Sequence, residues 1–176
     1  WHAYYDIFTR HGLGLFRDVL REVSYSPVMG NYLTFSDSKS MAYQYDQYGT
    51  QIYPDENYAR EVMELFTIGL NVLHDDGTRV FDAATGSAAE TYDNDDIMTF
   101  ARAWTGFEHQ DWRANLESFC SSGQQGCSAS NRIDPMRIVG SWRDAFPKRA
   151  LEDGYIGDGR ALCARLPPRA FLRRGA

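Results

Sequence analysis

Glu61 and Glu64 stand three positions apart, directly after Arg60, in the run Asn57-Tyr58-Ala59-Arg60-Glu61-Val62-Met63-Glu64. Two carboxylates on neighbouring turns of one helix face can hold a divalent cation or share a proton, the chemistry that a hydrolase needs, with or without a metal. The stripe of residues 57, 60, 61 and 64 also reads as a solvated face or an internal ion-pair network. The residues alone leave both readings open.

The element that positions this stripe is read as a helix over Pro54–Ile68. Pro54 suits the first helical position, Asp55 and Glu56 fall in the first turn, and Gly69 sits where a helix stops. At 100° per residue, Tyr58, Ala59, Val62, Met63, Leu65 and Phe66 share the apolar face. A second helix, Asp95–Thr105, has Asp93 as N-cap and Asp96 as a partial capping-box match, with Gly106 closing it. Ile97, Phe100, Ala101 and Trp104 form its apolar face, while Asp95, Thr99 and Arg102 follow another. If the two helices pack together, Arg102 pairs with Glu61 or Glu64 and Arg60 with Asp95, as a structural ion-pair network.

Other chemistry-bearing residues give thinner patterns. Cys120 and Cys127 bracket Ser-Ser-Gly-Gln-Gln-Gly, a polar loop that argues against two buried thiols and favours a short disulfide. Such a bridge would place the chain in an oxidising compartment, secreted or at the cell surface. Cys163 is left over. His2, His11, His74 and His109 show no ligand spacing, so no metal site is read. Asp75, Asp76, Asp93, Asp95 and Asp96 fail the calcium-loop pattern and read as turns and caps. Gly157-Asp158-Gly159 lacks the spacing of a phosphate loop, and no nucleophile elbow or His-Glu-x-x-His motif occurs.

A long ordered motif carries a resemblance. It comprises Asp55-Glu56-Asn57-Tyr58-Ala59-Arg60-Glu61, Glu64-Leu65-Phe66-Thr67-Ile68-Gly69, Asp95-Asp96-Ile97 and Ala101-Arg102-Ala103-Trp104-Thr105-Gly106. It resembles the hallmark of an uncharacterised family, domain of unknown function 1800, with Asp55 where that family usually has Asn. Phe16–Leu20, Tyr25–Met29, Tyr32-Leu33 and Ile133–Arg137 extend the resemblance over most of the chain. The resemblance implies a mostly helical fold and no established activity, so no catalytic residue is carried over. Members are usually longer, which implies that this chain is a fragment or a gene product that has lost flanking helices.

The remaining chain is read as mainly α, an irregular helical domain with a small β-hairpin insertion and long loops. Short helices are expected at residues 3–10, 13–23 and 27–33. Met41–Tyr53 is read as a loop whose rings pack on the domain or stack on sugars. Residues 70–92 form the hairpin insertion, with Asp75-Asp76-Gly77 as turn, and 120–135 a loop. The 176 residues are read as a single domain, and 43% hydrophobic content suffices for a core. A net charge of −6 argues against nucleic acid, the Arg165–Arg174 tail being read as solvated, and no run reaches the length of a membrane span. Three functions follow: a non-catalytic scaffold or interaction domain of a secreted or surface protein; a hydrolase built on Glu61 and Glu64; or a subunit whose activity lies in a partner, either another protein or the remainder of its own chain.

Overall fold

The computed structural model describes residues 1–111, 131–151 and 155–156. The expectations at Cys120, Cys127, Cys163 and Gly157–Gly159 lie outside these residues, as does most of the 120–135 loop. The architecture is mainly helical: α1 (His2–His11), α2 (Phe16–Tyr25), α3 (Pro27–Tyr32), α4 (Met41–Tyr48), α5 (Asn57–Glu61) and α6 (Asn94–Ala101). Two short antiparallel pairs complete it. β1 (Phe107–Glu108) pairs with β2 (Arg137–Ile138), and β3 (Lys148–Arg149) with β4 (Tyr155–Ile156).

The core forms where the apolar faces of α1, α2, α3 and α5 meet. Ile7, Val23, Met29, Leu33, Phe35, Tyr58, Phe107 and Met136 make one buried cluster. Phe35 stacks on Tyr58 with centroids 4.2 Å apart, and Trp104 meets Tyr58 edge-on at 4.7 Å. The Tyr58 hydroxyl finds the Ser24 hydroxyl at 2.8 Å, so a fully buried phenol keeps a polar partner. Burial pushes its pKa up to about 12, against the opposing effect of the Ser24 hydrogen bond. Gly30 lets this core close: a Cβ there would lie 2.6 Å from Met136 Sδ. A smaller cluster of Met63, Tyr92 and Ile97 joins the motif helix to α6.

Three expectations change. First, Met41–Tyr53 is not all loop, because α4 occupies Met41–Tyr48. Ser40 Oγ accepts from Tyr43 N at 3.2 Å, and Gly49, at φ 68°, ends the helix. None of its residues is fully buried, so no apolar period marks it in the sequence.

Second, the motif helix does not begin at Pro54. Asp55 Oδ1 accepts from Asn57 N at 2.9 Å and Asp55 Oδ2 from Thr34 Oγ1 at 2.9 Å, holding the entry open until Asn57. Third, the helix widens to a π-helix over Val62–Phe66. Thr67 Oγ1 donates to the Val62 carbonyl at 2.6 Å, and the Ile68 and Gly69 amides both reach the Met63 carbonyl. The extra residue per turn rotates Leu65 off the apolar face. Leu65 is 70% exposed, while Phe66 still packs on the core.

The second motif helix follows its boundary signals. Asp93 and Asp96 form a reciprocal capping box, each side chain accepting the other's amide. The helix then tightens into a 3-10 turn over Arg102–Trp104. Between the motif helices, residues 70–92 fold into three short segments bridged at Leu73–Arg79, Phe81–Ala88 and Asn71–Glu90. Gly77, at φ 81°, makes the first turn, where Asp76 accepts from both the amide and the hydroxyl of Thr78.

Candidate functional site

Glu61 closes α5 and Glu64 lies inside the π-helix, so the carboxylate pair flanks the point where the helix changes pitch. Both are half-buried, and among the described residues neither has a hydrogen bond or ion pair. Tyr92 is buried nearby, and its hydroxyl has no hydrogen-bond partner among the described residues. Burial raises the Tyr92 pKa, the charges of Glu64 and Glu61 add to the rise, and Arg60 opposes it. Arg60 pairs with Glu56 at 2.5 Å, one turn back on its own helix. Among the described residues, no group of three or more His, Cys, Asp or Glu side chains is arranged to hold a metal ion.

Arg102 corrects the expected network. It meets Asp144, not Glu61 or Glu64: it opens the 3-10 turn at the end of α6, and its side chain reaches the 144–148 segment. Arg102 Nε and one terminal nitrogen each donate to an Asp144 oxygen at 2.9 Å, a two-pronged pairing, and the guanidinium also reaches the Pro147 carbonyl at 3.1 Å. Asp144 is 7% exposed. Lys148, 3% exposed, donates to the carbonyls of Asp144 and Phe146 at 2.9 Å and approaches Asp144 Oδ1 at 3.4 Å. Thr105, fully buried, donates to the Arg102 carbonyl at 2.9 Å and accepts from the Asp144 amide at 2.8 Å.

The electrostatics follow from this geometry. Burial pushes the Asp144 carboxyl up, but the Arg102 hydrogen bonds and the charges of Arg102 and Lys148 outweigh it and hold the pKa below the usual range. Burial pushes Lys148 down, with Asp144 opposing. Each side chain of the cluster works on a neighbour within the fold. The backbone beside it is equally engaged. Gly106, at φ 84°, donates to the Ser38 carbonyl at 2.8 Å and accepts from Val139 N at 2.8 Å. A Cβ at Gly106 would lie 2.9 Å from the Val139 carbonyl. The Arg102-Ala103-Trp104-Thr105-Gly106 motif is thus a clamp that gathers residues 36–40 and 139–148 onto the end of α6.

Two cavities border the motif helices. One, of about 390 Å³, takes Asp95, Thr99, Arg102, Asp144 and Arg149 into its wall. The other, of about 520 Å³, is lined by Asp55, Glu56, Asn57 and Arg60. Tyr53, Pro54 and Met98 border both, so Asp95 and Arg60 look onto adjoining hollows. Glu64 borders a third, shallow hollow of about 310 Å³ together with Leu65, Ile68, Leu70 and Leu73. Thr105 belongs to the motif, but Asp144 and Lys148 carry no sequence signal that marks them out, and only their burial reveals them.

The fold and site define a mainly helical domain whose motif arginine locks a distant segment through a buried acid. The chain belongs to the family described as protein of unknown function, DUF1800, whose model matches residues 1–162. Neither a curated protein nor a solved structure matches it. No helix among the described residues is long and apolar enough to cross a membrane.

Proposed function

We propose that this domain is a non-catalytic scaffold or interaction domain, with its charged motif residues serving the fold. The observation that carries the reading is the Arg102–Asp144–Lys148–Thr105 cluster. The motif side chain best suited to bind an anion is already held at both prongs by a buried carboxylate. A second observation favours the interaction half of the reading. Leu65, Ile68, Leu70 and Leu73 are exposed and border one shallow hollow, the kind of apolar patch that marks contact surfaces. The link to a secreted or surface setting rested on Cys120 and Cys127, which lie outside the described residues, and is not part of the proposal.

The rival reading is a hydrolase using Glu61 and Glu64. Elemental analysis of the purified protein, repeated on Glu61→Gln and Glu64→Gln, separates the two. The scaffold reading expects no stoichiometric divalent metal and a stability change under about 1 kcal/mol for either variant, because each half-buried carboxylate has no partner among the described residues to lose. Metal held by the parent and lost from both variants would refute it.

A further inference from the structure

A separate cavity lies on the other side of the core, where α1, α2 and the start of α3 meet the segment before β2. It encloses about 510 Å³, within the range of small-molecule sites. Tyr4, Ile7, Tyr25 and Ile133 supply apolar walls.

The charges around it are unevenly used. Five charged side chains line it: Asp6, Glu22, Arg10, Arg21 and Arg132, an excess of one positive charge in a chain whose net charge is −6. Glu22 is already taken, because Arg10 pairs with it and His11 Nε2 lies 2.7 Å from its other oxygen. These hydrogen bonds, His11 first and then Arg10, hold the Glu22 pKa below its ordinary value. Among the described residues, Arg21 and Arg132 have neither an ion pair nor a hydrogen bond. Asp6 is likewise without an ion pair or hydrogen bond among the described residues, so the cavity presents two unused guanidinium groups and one unused carboxylate beside aromatic and aliphatic walls.

The rim that carries Arg132 is fixed in place. Asn131, 1% exposed, accepts from the amides of Ile133 and Asp134 at 3.0 and 3.1 Å. Its Nδ2 donates to Asp134 Oδ2 at 2.7 Å and to the Asp111 carbonyl at 3.1 Å. Met136 N donates to the Tyr25 carbonyl at 2.7 Å, and the Met136 side chain fills the space that Gly30 leaves. A buried asparagine and a buried methionine thus hold Arg132 and Ile133 against the end of α2. A preformed edge lowers the ordering cost of binding.

We propose that this cavity binds a small organic carboxylate with an aromatic or aliphatic body, its anion held by Arg21 and Arg132 and its body against Tyr4, Tyr25 and Ile133. A carboxylate suits a guanidinium fork, and an apolar body suits the walls. The assignment stands apart from the scaffold reading, since none of these residues belongs to the Arg102–Asp144 clamp.

Calorimetric titration of the purified protein tests it with three acids, N-acetyl-L-phenylalanine, N-acetyl-L-leucine and 1-naphthylacetate, and with N-acetyl-L-phenylalanine amide. At least one acid should bind saturably at one site, and the neutral amide at least about tenfold more weakly than its acid. The Arg21→Gln/Arg132→Gln double variant should lose about tenfold or more for the acid that binds, while Arg17→Gln, on α2 but outside the cavity, should not. Both cavity arginines are exposed, so the double variant should keep the parent's circular dichroism. A variant that binds as the parent does, or equal binding of acid and amide, overturns the proposal. So does the absence of saturable binding by all three acids up to about 10 mM. Binding of an acidic peptide with all three acids inert overturns it in favour of a peptide-docking surface.

Discussion

Replacing Arg102 by Ala tests whether the motif arginine holds the fold. The substitution removes both prongs on Asp144 and the contact with the Pro147 carbonyl. Asp144, 7% exposed with Arg102 in place, would keep Lys148 at 3.4 Å as its remaining counter-charge. Stranding one member of a buried pair costs about 3–5 kcal/mol. The surviving Lys148 and the partial exposure of Arg102 place the expected loss near the lower end, at about 3 kcal/mol. Urea unfolding followed by circular dichroism at neutral pH measures it, with an unchanged m-value showing that the unfolded state is the same.

The loss should depend on pH. The Asp144 pKa is depressed in the fold, so its contribution is fully present above the unfolded carboxylate value, near 3.9, and fades as pH falls through the folded value. The gap between parent and Arg102→Ala should therefore narrow with acidification. A loss below about 1 kcal/mol at neutral pH, or a gap that does not change with pH, would refute the reasoning.

Other substitutions test separate parts of the fold. Leu65→Ser should change stability by less than about 0.5 kcal/mol in the same urea assay, because the π-helix exposes Leu65, whereas a continuous α-helix would bury it and the loss would exceed about 2 kcal/mol. Gly30→Ala should cost less than about 1 kcal/mol, since its Cβ first meets the flexible end of Met136, at 2.6 Å, and α3 favours Ala over Gly; thermal unfolding reads the shift. Gly106→Ala meets a backbone carbonyl at 2.9 Å and needs φ 84°, so it should be at least as damaging by the same measure. In a spectrophotometric titration, phenolate absorbance that Tyr58→Phe removes should develop around pH 12, well above the ordinary tyrosine range, and development near pH 10 would contradict its burial.

The elements with strong boundary residues were readable from the chain itself. Asp93 and Asp96 announce α6, and Ser26-Pro27 the start of α3. Asp75-Asp76-Gly77 announces the first turn of the insertion. Those signals are local, so one sequence suffices to see them. The π-helix was hidden because its cause is tertiary. The 100° rule places Leu65 and Phe66 on one face, and only packing of Phe66 on the core reveals that the helix has gained a residue. Met41–Tyr48 was hidden for the opposite reason, having end signals at Ser40 and Gly49 but no buried stripe between them.

The candidate site divides in the same way. Arg102 stands out in a motif, yet its partner lies 42 positions away in a segment with no pattern. Local spacing suggested glutamates for the pair, and a long-range turn supplied Asp144 instead. Arg21 and Arg132 look like ordinary surface arginines until the fold places them around one cavity.

A double-mutant cycle between Arg102 and Asp144 tests the central claim most directly. Arg102→Ala, Asp144→Ala and the double variant are compared with the parent by urea unfolding at neutral pH. If the motif arginine exists to hold the 144–148 segment, the two single losses should overlap, with a coupling of at least about 2 kcal/mol, in the range found for residues in one buried network. A coupling below about 0.5 kcal/mol would mean that the two residues act independently, and would contradict the account of the motif as a structural clamp.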